Sequence, residues 1–193
     1  MPEHKKSKGA VLTSGGDAPG MNAAIRAIVR TASHHDLQVA GVQKGYYGLV
    51  HNEFVDLGSR SVSNIIQRGG TILRSARCQE FRTEEGQRQA AENLQSNDID
   101  ALFVIGGDGS LQGAHNLATH WPGQIIGLPG TIDNDLSGTD YTIGYFTALD
   151  TALDAIDKIR DTADAIDRVF LVEVMGRMAG FIPSVAGVAG GAD

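Results

Sequence analysis

Short apolar runs rich in Val, Ile and Leu alternate along the chain with longer stretches whose apolar residues recur at helical spacing. That alternation belongs to a parallel sheet buried between helices. The runs predict strands over 10–13, 39–42, 101–105, 125–128 and 168–174. Met21, Ala24, Ile25, Ile28 and Ala32 share one helical face after Pro19, whose fixed φ suits a first helical position, so a helix is predicted over 19–32. Further helices are predicted over 62–67, 83–95, 110–118 and 142–163, the last fraying near Asp161. The fold class is α/β: a doubly wound, Rossmann-like parallel sheet with helices on both faces. A composition shift around Tyr141–Tyr145 divides it into an α/β domain over 1–141 and the incomplete beginning of a second, smaller α/β domain over 142–193. About 50 residues is near the lower limit for an independent core.

Composition removes several classes of function. Apolar residues make up 41% and charged residues 20%, as in an ordinary globular domain. One cysteine cannot form an internal disulfide, and no Cys/His cluster has the spacing of a zinc site, so a reducing compartment is expected. After the charged start, only Ala10-Val11-Leu12 precedes Thr13, too short for a signal-peptide core, which points to the cytoplasm. Neither a membrane nor a nucleic-acid role is expected. No apolar run approaches the roughly 18 residues needed to span a bilayer, and a net charge of −7 with no basic stripe offers nucleic acid no footprint.

Glycine is the unusual entry in the composition: 25 of 193 residues, close to twice the usual share of about 7%. Many of these glycines fall where predicted strands end, in Ser14-Gly15-Gly16-Asp17-Ala18-Pro19-Gly20, Gly106-Gly107-Asp108-Gly109-Ser110, Pro129-Gly130-Thr131-Ile132-Asp133-Asn134-Asp135 and Met175-Gly176-Arg177. In open parallel sheets ligands sit beyond the carboxyl ends of the strands. The first two loops lead into helices, where free backbone N–H groups and the positive end of the dipole favour phosphate. Neither has the spacing of a Walker loop or of a dinucleotide fingerprint. A single Gly-Gly-Asp turn is also ordinary punctuation between a strand and a helix.

The side chains in these loops suit phosphoryl transfer, which needs alignment and cationic charge more than covalent chemistry. Asp108 offers hard oxygen ligands to Mg²⁺, or caps the next helix, a role Ser110 could also fill. Asp133 and Asp135 are two residues apart, so on an extended backbone both carboxylates face the same way; Asp-Asn-Asp is equally a turn former. With a negative overall field, local arginines must bind the anion, and Arg74, Arg77, Arg168 and Arg177 are the candidates. Arg26 and Arg30, four apart on one helix, read as a solvated face.

Taken together, Thr13–Ala24, Ile105–Ser110, Gly127–Asp135 and Val174–Arg177 resemble the bacterial-type ATP-dependent 6-phosphofructokinases, over their N-terminal portion. The resemblance implies transfer of the ATP γ-phosphoryl group to the 1-hydroxyl of fructose 6-phosphate. It makes Asp133 the general base with Thr131 beside it, and Arg77 and Arg177 the cations at the transferring group. Gly16, Arg77, Cys78, Gly107, Asp108, Gly109 and Ser110 fall at ATP positions, and Asp108 and Asp135 at Mg²⁺ positions. Thr131, Ile132, Asp133, Met175, Gly176 and Arg177 fall on the sugar side. Arg168 matches an arginine reaching the sugar phosphate of a neighbouring subunit, which implies a homotetramer. Arg26, Arg30, Arg160, Gly191 and Asp193 match positions that bind an allosteric nucleotide.

Some positions depart from the family pattern. Ser59 stands where an effector arginine is common, Asn64 where an aspartate is common, and Cys78 replaces a usual aromatic beside the nucleotide. Pyrophosphate-using relatives carry an Asp and a Lys where this chain has Gly109 and Gly130, so ATP is the expected donor and pyrophosphate the alternative. The resemblance also implies later family segments with further sugar-phosphate arginines. The 193 residues are therefore expected to turn over poorly alone, and a nucleotide-binding module without turnover is the second reading.

Overall fold

In the computed structural model, residues 7–192 are described. The strands are β1 (Lys8–Thr13), β2 (Gln38–Val42), β3 (Phe54–Asp56), β4 (Ala101–Gly106), β5 (Gln124–Thr131) and β6 (Ile143–Gly144). The helices are α1 (Met21–His34), α2 (Tyr46–Val50), α3 (Glu84–Ser96), α4 (Asp108–Leu117), α5 (Tyr145–Ile166) and α6 (Phe181–Ala189), with a 3₁₀ turn over Glu80–Arg82. The strands form one sheet in the order β3-β2-β1-β4-β5-β6, parallel throughout except for the antiparallel edge strand β3.

Strand alternation divides the core into two layers. Ala10 and Leu12 of β1 and Leu102 and Val104 of β4 pack with Leu94, Leu117 and Trp121 under α3 and α4. Val11 and Ile105 face the other way, against Met21, Ile25 and Val29 of α1. Helices therefore cover both faces, as the sequence predicts. The start of α3 is set locally: the Thr83 hydroxyl accepts the Gly86 N–H, and Glu84 and Glu85 occupy the first turn, where negative charge meets the positive end of the dipole.

Several elements differ from expectation. Residues 62–67 form a chain of tight turns rather than a helix, because Asn64 sits at φ 53°; Val62 and Ile65 still bury their side chains beneath α1. Gly20, at φ 92°, precedes the first residue of α1, so Pro19 lies outside that helix. Helix α5 begins at Tyr145 and continues to Ile166, where Asp167 turns left-handed. Residues 168–174 carry strand-forming side chains but pair with no strand among the described residues, and Val169 and Leu171 are 94% and 98% exposed. High β-propensity cannot make a strand without a partner for its backbone groups. The described residues beyond β6 thus hold two helices and no strand, joined by a small cluster of Tyr145, Leu149, Ala152 and Ile156 with Ile182 and Ala186.

Candidate active site

The parallel register of β1, β4 and β5 brings their carboxyl ends to one rim. There the loops enclose a cleft of about 1340 Å³. The Ser14 N–H donates to the Ile105 carbonyl at 3.0 Å, fixing the first loop to the end of β4. Gly107 caps α4 through its carbonyl, which accepts the N–H groups of Ser110 and Leu111, each at 3.0 Å. Asp108 is the first helical residue, and neither it nor Ser110 is the cap, so its carboxylate is free to face the cleft it lines. A side chain at Gly16 or Gly109 would meet no protein atom within 4 Å, so both positions present open backbone to the cleft.

On the opposite side, the end of β5 is held by Thr142, whose hydroxyl donates to the Thr131 carbonyl at 2.7 Å. Its N–H donates to Asn134 Oδ1 at 2.9 Å, and Asn134 takes φ 52°. The Asp133–Asp135 segment is therefore a turn, correcting the extended backbone predicted, and both carboxylates still line the cleft. The Thr131 hydroxyl accepts the Asp133 N–H at 3.2 Å. Asp133 is 13% exposed and its carboxylate lies 3.5 Å from Arg177 Nε. Burial, then the Asp135 charge, raise the Asp133 pKa above the ordinary carboxylate value, against the lowering effects of Arg177 and the Thr131 hydroxyl.

All the predicted nucleotide positions, Gly16, Arg77, Cys78 and Gly107–Ser110, line this cleft, as do Thr131–Asp133, Asp135 and Met175–Arg177. Asp108 and Asp133 therefore share one cavity. Arg168 lies outside it, on the exposed stretch after α5. The predicted effector residues fall into two groups. Arg26 donates to the Val62 carbonyl, whereas Arg160 donates to the Gly190 carbonyl at 2.7 Å, beside Gly191; Arg30 is exposed on α1, and Asp193 lies outside the described residues.

Sequence reasoning missed an aromatic wall of the cleft. Tyr46 and Phe81 stack with ring centroids 3.9 Å apart, and both line the cleft together with Gln112, Gly113 and Arg82. The Tyr46 hydroxyl donates to the Ser110 carbonyl at 2.6 Å, and burial pushes its pKa far up, so it stays a donor. Tyr46 and Phe81 come from α2 and the 3₁₀ turn, not from strand ends, and no glycine loop marks them. The Gly113 position, where a Cβ would lie 3.1 Å from Phe81 and 3.2 Å from Tyr46, is the one sequence-level trace.

Comparison with known proteins gives a consistent result. Residues 8–193 match the family described as phosphofructokinase. The chain is 60% identical over 183 residues to ATP-dependent 6-phosphofructokinase 2 of Bacteroides thetaiotaomicron, covering 95% of this chain and 56% of that protein. It is 57% identical over 183 residues to ATP-dependent 6-phosphofructokinase of a Thermoanaerobacter species, covering 95% of this chain and 57% of the relative. Among solved structures, phosphofructokinase from Saccharomyces cerevisiae superposes with a TM-score of 0.92 at 45% identity, over 95% of this chain and 28% of that one. The chain thus spans a little over half the length of the curated relatives it matches.

Proposed function

Because the chain belongs to the phosphofructokinase family, we propose that its cleft binds MgATP and, in the whole protein, passes the γ-phosphoryl group to the 1-hydroxyl of fructose 6-phosphate. The products are ADP and fructose 1,6-bisphosphate. The observation that carries this reading is the shared cavity: open glycine backbone and Asp108 on one side, the largely buried Asp133 with Arg177 on the other.

In this reading the phosphates lie on the backbone of Gly16 and of Gly107–Ser110, with Arg77 beside them, and the base packs toward Cys78 and the Tyr46–Phe81 stack. The sugar lies against Thr131, Ile132 and Met175–Arg177. Asp133 orients the 1-hydroxyl and accepts its proton as the new O–P bond forms and the bond to the ADP oxygen breaks; Arg77 and Arg177 balance charge on the moving group. The raised pKa of Asp133 suits a proton acceptor. Asp108 and Asp135 are hard oxygen donors on the same cleft, a set suited to Mg²⁺, which keeps several waters and needs few protein ligands. When bound, the ion would neutralise phosphate charge.

ATP rather than pyrophosphate is favoured as donor by the open space at Gly109 and by the names of the similar proteins. A homotetramer, with Arg168 reaching the sugar phosphate of a neighbouring copy, accords with the position of Arg168 outside its own cleft. Arg26 and Arg30 on α1, and Arg160 beside Gly191, would form an effector site only between copies. A cytoplasmic setting accords with a phosphorylated sugar substrate; no helix among the described residues is long and apolar enough to cross a membrane. Calorimetry with MgATP and a coupled ADP-release assay with and without fructose 6-phosphate test the proposal. Nucleotide binding by this chain and sugar-dependent ADP release by the whole protein are expected, and a chain that does not bind MgATP would overturn it.

A further inference from the structure

The segment that carries Arg77 into the cleft has no regular secondary structure from Gly69 to Gln79. A loop without its own ladder needs partners elsewhere for its backbone groups. Those partners are concentrated on one side chain. Asn22, the second residue of α1, is 1% exposed. Its Nδ2 donates to the carbonyls of Arg68 at 3.0 Å and Gly69 at 3.3 Å, and its Oδ1 accepts the Ile72 N–H at 2.8 Å. A single buried amide thus satisfies three backbone groups of a segment nearly fifty residues away in the chain.

A second anchor follows within two residues. The Thr71 hydroxyl bonds the Thr13 hydroxyl at 2.8 Å, and Thr13 donates to the Arg74 carbonyl at 3.0 Å. Thr13 has one proton to give, so the Thr71 hydroxyl must be the donor to Thr13. The Lys44 N–H then holds the Leu73 carbonyl at 2.8 Å. Directly beyond these anchors the chain enters the cleft wall at Ser75, Ala76 and Arg77.

We infer that Asn22 is a positioning residue: its amide fixes the 68–72 loop against the start of α1 and thereby sets where Arg77 stands relative to the glycine loop that precedes the same helix. The inference rests on the nucleotide reading of the cleft given above. Asn22 does not line the cleft, so it acts through the loop and not on a ligand. The arrangement couples the two halves of a phosphate site, since α1 starts directly after Gly20 and its second residue grips the arginine-bearing wall. An arginine fork has value only where its geometry is set beforehand.

The test uses Asn22→Asp in the full chain, which keeps shape and the acceptor but turns both donated bonds into contacts between a carboxylate and carbonyls. An acidic residue in the first helical turn favours α1, so the helix is not the casualty. MgATP affinity should fall about tenfold, the scale of one charge-assisted hydrogen bond. In an Arg77→Ala background the same change should cost less than about twofold, because the two act through one loop. Amide hydrogen exchange over 68–78 should accelerate by about tenfold or more while α1 keeps its protection. A purely structural role would instead lower the melting temperature and leave affinity unchanged, or give costs that add in the double variant; either result overturns the inference. So would unchanged exchange over 68–78. If Asn22→Asp does not fold, Thr71→Val releases the neighbouring anchor alone and should shift affinity and exchange in the same direction; no shift there overturns the inference. A parent chain that fails to bind MgATP would remove the functional reading and this inference together, whereas equal binding by parent and variant removes only the inference.

Discussion

The sheet over residues 8–144 and the helical segment that follows it are held together to very different degrees. In the sheet, each buried strand alternates its side chains between two apolar layers, and loops at the cleft are fastened by buried hydrogen bonds such as Thr142 to the Thr131 carbonyl. In the later segment, α5 and α6 share a small cluster, while Leu171 and Met178 are almost wholly exposed. The two walls of the cleft inherit this contrast. The wall of Gly16, Asp108 and Gly109 stands on the finished sheet; on the opposite wall Met175–Arg177 arrives on an exposed stretch, tied to the end of β5 by the Arg177–Asp133 pair at 3.5 Å. Preorganisation is thus concentrated on the side proposed for the nucleotide, and the acceptor side depends on fewer contacts.

The largest effect expected to sharpen this contrast is on chemistry. In the whole protein, Asp133→Ser should lower the proposed fructose 6-phosphate-dependent ADP release by about 10²–10⁴-fold, the usual range for a general base, with MgATP affinity by calorimetry little changed. Next comes stability. Leu102→Ala in the fully buried layer should cost about 2–5 kcal/mol in urea unfolding, whereas Leu171→Ala should stay within about 0.5 kcal/mol. Equal costs would break the comparison. Gly109→Asp should weaken MgATP binding at least about tenfold, or roughly 1.4 kcal/mol, by placing a side chain and a charge in open cleft space; the fold should persist, since nothing lies nearby to clash.

The smallest effect concerns pH. Asp133 keeps its proton to a higher pH in the folded chain than in the unfolded one. Its contribution to stability is therefore full in acid, below the unfolded carboxylate's range, and is lost as pH rises through the raised value. Asp133→Asn removes the charge and keeps the shape, and Arg177, 74% exposed, gains little from the pair. The variant should melt above the parent at pH 7, by about 2–4 °C per kcal/mol relieved, and lose that advantage below about pH 4 in a thermal-melt series.

Local patterns made the sheet and its glycine rim legible in the sequence. Strands β1, β2, β4 and β5 announce themselves as apolar runs, and parallel pairing forces their loops to one edge. What escaped was whatever depends on distant partners. Asn64 interrupts a good helical spacing, and its neighbours Val62 and Ile65 bury equally well as turns. The run 168–174 has the composition of a strand without a pairing partner among the described residues. Tyr46 and Phe81 reach the cleft by packing from opposite ends of a 35-residue gap that no periodicity spans. Of the two backbones open to Asp133–Asp135, extended or turned, the choice falls to Thr142, whose N–H holds Asn134 eight residues earlier.

One contact at the junction has a mechanical consequence. A Cβ on Gly20 would lie 2.7 Å from Ile143, and one on Gly144 would lie 2.9 Å from the Pro19 carbonyl, both glycines having positive φ. The first loop therefore packs without spare room on the foot of the long helix α5, Gly20 under the Ile143 side chain and Gly144 against the Pro19 carbonyl. With no slack at either glycine, a tilt of that helix is passed on to the loop, as two meshed teeth pass on rotation.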